Sequence, residues 1–590
     1  MLAPDDRSML LELLEPPEGL ELDSAVGVTY TLNLEALLSI PTAFAVAGAL
    51  GEEEVHADLA PIELLDALRT HARRITVCCD SSGVTLPTNA ASGVFSFLES
   101  CIVPVRAPRG GAFHPKAWVV RYSATGAEAT HRLIISSRNL TFDRSWDTAV
   151  SLEQTPDGVA LPAVATLLSA LAGDALPVGE LAVANQTRLE ELATSVRSAR
   201  FALPAGFDDM SLHVLGLSDK QRSRSPLPSA ARRALVVSPF LSYAAIDQVP
   251  VAWDALTVVS RRDQLDAELG SHPREHVDGN VFEITTSAID ESGTTEDSLT
   301  GLHAKLWVFD EAARRSQVFV GSANATTAAF TSNVEVLLEL SGPTSRVGVE
   351  RWINGDESMR ELLVPHLWRD PEPSETDNRR LLTEFRRSLS RLPILADISE
   401  AADSRYTIRF TAVGAGARPD GVRVSVRPLA LKTWTVLSGG IDASFTLDAA
   451  ALSAFLGIRL ELSEEHCEFV LVATVTGMPA NRDAKVLAAL LANPERLVRY
   501  LLMLLADPLD DRFDGNAQQA IEKARHVTHD TLSAVPLLEV MARALVRQPK
   551  RLAEIDRLIQ ELDEGTDIID TDLKALWTAV RTVAGIRGPK

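Results

Sequence analysis

The sequence predicts an α/β chain built from two similar halves, followed by a small antiparallel β unit and a helical region. Three observations carry that expectation. Residues 1–200 and 208–365 each alternate β-branched, strand-like runs with helical stretches. A pair of short polar motifs recurs once in each half, at similar depth. Beyond residue 370 the pattern changes to period-two alternation and then to leucine-rich helical spacing.

The chain has 590 residues, 46% hydrophobic and 23% charged, an ordinary globular composition that calls for three or four domains. The boundaries read from the sequence are 1–203, 204–369, 370–482 and 483–590. Cys78, Cys79, Cys101 and Cys467 show no C-x-x-C spacing, so they read as reduced thiols in a cytoplasmic protein, with no zinc site. The start, MLAPDDRSML, lacks a signal peptide's basic region. The most apolar window, residues 34–50, contains Glu35 and Pro41 and reads as a buried helix, so no membrane association is expected. A net charge of −23 argues against a chain that coats nucleic acid or anionic lipid over its whole surface. A local exception surrounds the first motif: residues 101–145 hold seven basic side chains against Glu128 and Asp143.

In chain order, residues 25–32, 74–79 and 101–106 read as strands, with helices at 63–69 and 91–98 between them. Residues 113–122 form the first motif strand and 132–136 the next, and helices at 162–171 and 187–200 close this half. Strands at 212–215, 234–238, 256–260 and 281–285 then lead to the second motif strand, 302–310, followed by 316–321 and 334–340. A Pro-rich acidic linker, 370–378, precedes a helix at 379–391. Residues 405–476 alternate as a small antiparallel β unit. Helical stretches follow at 486–491, 497–505 and 537–546.

The motifs are His114-Pro115-Lys116 with Ser137-Arg138-Asn139, and His303-Ala304-Lys305 with Ser322-Ala323-Asn324. In a strand, H-x-K points both side chains to one face. Four polar groups then converge where a core would otherwise be. Chance predicts about 0.2 H-x-K triplets among 12 histidines. Nine of the 57 basic residues are lysine, and two of those nine stand in this motif. A lysine kept where arginine is the default suggests a need for a compact point charge.

This duplication resembles the phospholipase D superfamily over roughly residues 20–365. The family signature is H-x-K-x4-D followed by G-S-x-N, in two copies that share one active site. The second copy carries all of it: His303, Lys305, Asp310, Gly321, Ser322 and Asn324, with Asn333 and Glu335 as a downstream N-x-E. The first copy departs from it, with Arg121 in place of the Asp, Ser136 in place of the Gly, and Asp147 roughly where the Glu would be.

The resemblance implies two α/β/α sandwich halves related by a pseudo-two-fold axis. It implies a phosphodiesterase in which one histidine attacks phosphorus and the other acts as acid and base. His114 is assigned as nucleophile and His303 as acid/base by analogy with single-chain relatives. Lys116, Lys305, Asn139 and Asn324 would bind the non-bridging oxygens, and Ser137, Ser322, Asp310, Glu335 and Asp147 would bind phosphate or support the site. Glu335 is expected to orient the second-half histidine, His303, and Asp147 to orient His114. No metal or other cofactor is required, and one chain suffices for one active site. Without a membrane element, and with arginines around the first motif, the expected substrate is DNA. Relatives with long C-terminal extensions suggest a bacterial restriction or phage-defence setting with helicase-type partners. A phospholipid hydrolase or transferase, and a non-catalytic nucleic-acid-binding subunit, are the alternatives.

Overall fold

Strand β1 (Glu21–Thr29) is buried along both faces, and that fixes its layer. Val26 and Val28 join one apolar core while Leu22 and Ala25 join another, the alternation of a strand held between two layers. Strands β2 (Ile75–Asp80) and β3 (Ile102–Val105) continue the sheet in parallel on one side. On the other, β4 (Ala117–Ser123), β5 (Thr130–Ser136), β6 (Ala149–Ala160) and β7 (Arg200–Phe201) extend it in antiparallel fashion. The order is β7-β6-β5-β4-β1-β2-β3. Helix α1 (Leu34–Ala49), the apolar window, covers the outer face through Leu34, Leu37, Ile40 and Phe44. Among the described residues no helix is long and apolar enough to cross a membrane.

This computed structural model describes residues 10–49, 71–88, 93–126, 128–142, 145–217, 225–270, 280–284, 301–312, 314–355, 358–370, 377–414 and 417–491, with scattered positions from 555 to 581. The helix expected at 63–69, the acidic approach loop before the second motif, most of the linker and the helical stretches at 497–505 and 537–546 lie outside them.

The second sheet repeats the first. Strands β8 (Asp209–Leu215), β9 (Arg233–Val237), β10 (Leu256–Ser260), β11 (Val281–Ile284), β12 (Leu306–Asp310), β13 (Arg315–Gly321), β14 (Glu335–Pro343) and β15 (Leu363–Pro365) take the order β8-β14-β13-β12-β9-β10-β11-β15. Apart from the added β15 and the place of β8 in the chain, each strand has a counterpart in the first sheet. Val119 and Leu133 of one sheet share a single core with Leu235, Val308 and Val318 of the other, together with helices α2 (Ala163–Ala172) and α3 (Val183–Val196). On the far side of β12, Trp307 and Phe309 enter a separate outer core. The fold class is thus mixed α/β with several sheets.

The C-terminal β region differs from its expectation. Instead of one unit it has two four-stranded sheets. Strands β16 (Ile394–Glu400), β17 (Tyr406–Ala412), β20 (Asp442–Leu447) and β23 (Thr474–Thr476) form one, with β23 parallel to β16. Strands β18 (Arg423–Pro428), β19 (Thr435–Leu437), β21 (Phe455–Leu462) and β22 (Glu465–Val472) form the other, all antiparallel. The two share one core, which helix α4 (Asp377–Ser390) enters through Leu382, Phe385 and Leu389. Phe455 and Val470 also reach the outer core of the first sheet. Helix α5 (Arg482–Leu491) follows.

Candidate active site

Neither H-x-K motif lies within a strand. His114, Pro115 and Lys116 occupy the extended connection before β4, and His303, Ala304 and Lys305 the gap between a two-residue strand, Gly301–Leu302, and β12. What fixes them is backbone from the opposite half. His114 N donates to Val334 O at 2.9 Å, and Val334 N donates to Ala112 O at 2.9 Å. His303 N and Ala304 N both donate to Trp146 O, at 2.9 and 2.8 Å, where Gly301–Leu302 pairs in parallel with Ser145–Trp146. Gly111 belongs to the same junction, because a Cβ there would lie 2.3 Å from Ser332 O, and only glycine permits that approach.

This exchange dictates the carboxylate partners, and it reverses the expected assignment. Val334 lies beside His114, so the next residue, Glu335, reaches His114: Nδ1 to Oε2 is 2.9 Å. Trp146 lies beside His303, so Asp147 reaches His303: Nδ1 to Oδ1 is 3.0 Å. Each imidazole takes its carboxylate from the other half. A carboxylate only accepts, so Nδ1 of each ring carries the proton and Nε2 is left with its lone pair.

Ser137 and Ser322 are fully buried and serve the carboxylates. Ser322 Oγ donates to Glu335 Oε2 and receives Val336 N at 2.9 Å. Ser137 Oγ donates to Asp147 Oδ1 at 3.2 Å and receives Thr148 N at 2.9 Å. They support the site, and the phosphate-binding role expected of them is not where the structure puts their hydroxyls. Asp310 is at the far end of β12 from His303. Its Oδ1 accepts from Ser316 Oγ at 2.7 Å and from Val349 N at 3.0 Å, so it ties strands to the following helical turn and is no part of the phosphate site. Its counterpart Arg121 forms an ion pair with Asp23.

Lys116 and Lys305 are buried between the halves. Lys116 Nζ donates to His114 O at 2.8 Å, and Lys305 Nζ to His303 O at 2.7 Å. Burial first, and then the charge of Lys305, hold Lys116 well below the usual lysine range, against the pull of Glu335 and Asp147. Two buried lysines that feel each other's charge are both held as ammoniums most readily with an anion beside them. Asn139 Oδ1 accepts from Thr31 N at 3.4 Å, and Asn324 Oδ1 lies 3.5 Å from Ser238 Oγ. Both amides thus have an oxygen engaged by protein and an Nδ2 group with no hydrogen bond among the described residues.

Burial lowers the pKa of His114 to about 4, with Glu335 opposing the shift and Lys116 adding to it. His303 is lowered as well, again by burial first, with Asp147 opposing. Both rings are therefore neutral in the free protein near pH 7.

Sequence reasoning missed Tyr30 and two exposed phenylalanines, and it placed Asn333 in the motif without a role. The Tyr30 ring lies 5.2 Å from that of His114, and Lys116 Nζ sits 5.9 Å from its centroid. Its place just after an apolar strand beside the motif strand was the available signal. Asn333 donates to Glu335 Oε1 at 3.1 Å and accepts from Ala112 N at 2.9 Å. Phe142 follows Asn139 by three residues and is 64% exposed. Phe240, 42% exposed, is on the loop that holds Ser238 against Asn324. The Arg261 guanidinium lies 5.1 Å from its ring.

No family model and no curated protein matches this chain. Among solved structures it is similar to yeast tyrosyl-DNA phosphodiesterase, at 10% identity over 58% of this chain and 88% of that one, with a TM-score of 0.34. A histidine mutant of the yeast enzyme matches over 58% and 87%, at 10% identity and a TM-score of 0.35.

Proposed function

We propose that this chain is a phosphodiesterase of the phospholipase D type that cleaves DNA through a phosphohistidine intermediate, its two sheet-bearing halves related by a pseudo-two-fold axis. The observation that carries this reading is the pair of imidazoles, each fixed by a carboxylate from the other half, beside two buried lysines. A phosphodiester is anionic and repels a nucleophile, so cationic and amide donors must hold its non-bridging oxygens. Preorganised donors of this kind are worth about 3 kcal/mol each. Lys116, Lys305, Asn139 Nδ2 and Asn324 Nδ2 fill that role.

His114 is the nucleophile. Its low pKa keeps it neutral, and its Nδ1–H to Glu335 leaves the Nε2 lone pair for phosphorus. The phosphate anion raises the pKa of His303, which protonates the leaving oxygen as the P–O bond breaks. His303, now neutral, takes a proton from water, whose oxygen attacks phosphorus and releases His114. The two histidines close the proton cycle between them. Exposed Phe142 and Phe240, one beside each asparagine, favour a strand with bases over a lipid, since every base has a face to stack.

The test is turnover of single- and double-stranded DNA, RNA and phosphatidylcholine in EDTA, beside His114→Ala and His303→Ala. Metal-independent DNA cleavage lost in both variants is the expected result. Loss of cleavage in EDTA, or cleavage of lipid alone, overturns the reading.

A further inference from the structure

A narrow cleft, whose interior of about 10 Å³ has room for about one water, opens to the surface between helix α4 and the loops that leave β2 and β3. It lies at the carboxyl ends of parallel strands, where open α/β sheets place their ligands. Arg106, Arg387 and Arg391 line it, together with Ser81 and Gly111. Arg391 Nη2 is committed to Gly111 O at 3.2 Å. Arg106 and Arg387 are exposed and have no carboxylate partner among the described residues. Asp80, the acidic residue of the lining, is occupied: Oδ1 takes Ser82 N and Oγ, and Oδ2 takes Phe113 N at 2.8 Å. Guanidinium charge therefore exceeds carboxylate charge, in a chain whose net charge is −23.

The cleft adjoins the candidate active site. Its Gly111 wall is three residues from His114, so at most about 11 Å of extended chain separates them. We infer that Arg106 and Arg387 form a second phosphate subsite, which grips the nucleic-acid backbone beside the scissile phosphate and makes α4 part of the substrate channel. The inference rests on the proposed function for the identity of its ligand. It gives the region after residue 370 a task that the histidine site does not: Arg386 anchors α4 on Ser82 O and on the Phe469 ring, and the next residue, Arg387, is thereby presented to the strand.

The experiment is binding of a fluorescein-labelled single-stranded 20-mer, followed by anisotropy from 50 to 300 mM NaCl, for the full chain carrying His303→Ala to prevent turnover, and for Arg106→Ala, Arg387→Ala, their double variant and Arg387→Glu in that same background. Circular dichroism and melting confirm that each is folded. The double variant is expected to bind about ten-fold more weakly at low salt, and its plot of log affinity against log salt to flatten by about 1.4. Arg387→Glu is expected to weaken binding more than Arg387→Ala. Unchanged affinity and slope in the folded double variant overturn the subsite. Displacement of the 20-mer by inorganic phosphate at matched ionic strength, as effective as by unlabelled strand, overturns it in favour of a free-anion site. The readout is binding, so a wild-type protein that cleaves no phosphodiester in EDTA defeats the proposed function while the flattened slope still supports the subsite.

Discussion

Glu335 and Asp147 do the same task for the two histidines under different conditions. Glu335 has no exposure at all, and both its oxygens are bonded, one to His114 and Ser322 and the other to Asn333. Asp147 is 14% exposed; its Oδ1 holds His303 and Ser137, and its Oδ2 has no hydrogen bond, with Arg138 Nε 3.8 Å away. The second copy's N-x-E reads Ser145-Trp146-Asp147 in the first, so the amide that completes the shell of Glu335 has no equivalent. His114 is thus held by a saturated carboxylate, which suits the nucleophile's role proposed for it, one tautomer and one aim. His303 is held by one whose second oxygen is buried and meets the Arg138 guanidinium without a hydrogen bond, a looser hold that suits the acid/base role proposed for it.

The largest effect expected from breaking this asymmetry is at the rings. His114→Ala should lower phosphodiester turnover at least ~10⁴-fold and leave no covalent adduct. His303→Ala should still be phosphorylated by a substrate with a good leaving group, and the intact-mass increase should persist because no base activates water. Adduct formation in His114→Ala but not in His303→Ala would exchange the two roles.

Next come the carboxylates. Glu335→Gln should cost ~10²-fold in kcat and Asp147→Asn less. Removing the Glu335 charge also removes the influence that raises His114, so its pKa should fall below about 4 while that of His303 is little changed. Proton NMR titration of the two rings separates them. A larger response of His303 to Glu335→Gln contradicts the crossed pairing.

A third effect is on pH. His114 has a pKa of about 4 in the folded protein and 6.5 otherwise. Between these values the unfolded chain binds the extra proton, so folding stability rises with pH and is lost as pH falls from 6.5 through about 4. Catalysis through neutral His114 should fall in the same direction. Urea midpoints at pH 7 and 4.5, with His114→Phe as the control lacking this titration, measure the stability part. The smallest effect is expected at Asp310, where Asp310→Ala should cost ~1–2 kcal/mol of stability through Ser316 and the Val349 amide, with no change in kcat. A fall in kcat there would return Asp310 to the phosphate site.

The motif residues were legible because their chemistry is improbable by composition, and most strands were legible because β1, β4, β9 and β12 are apolar on both faces. Strand β6 (AVSLEQTPDGVA) was not, since it is mostly exposed, carries Pro156 and Gly158, and is strand-like only through its pairing with β5 and β7. The partners of the histidines could not be read from spacing. Asp147 lies 33 residues from His114 and Glu335 lies 32 from His303, which invites pairing within a copy; the backbone exchange at Val334 and Trp146 is tertiary and decides otherwise. The glycine difference in the motif is local. A Cβ at Gly321 would lie 2.2 Å from Val336 O, whereas Ser136 in the first copy has room for its hydroxyl.

The exchange of carboxylates has a consequence for how such a chain can come apart. Neither half owns a complete histidine–carboxylate pair, so separate pieces carrying residues 1–203 and 204–590 would each lack half of both dyads. Fusion in one chain replaces a concentration-dependent encounter with an intramolecular one, at effective concentrations that linkers set in the millimolar range. Covalent continuity between the copies therefore adds to their shared apolar core in keeping the site assembled when the protein is dilute.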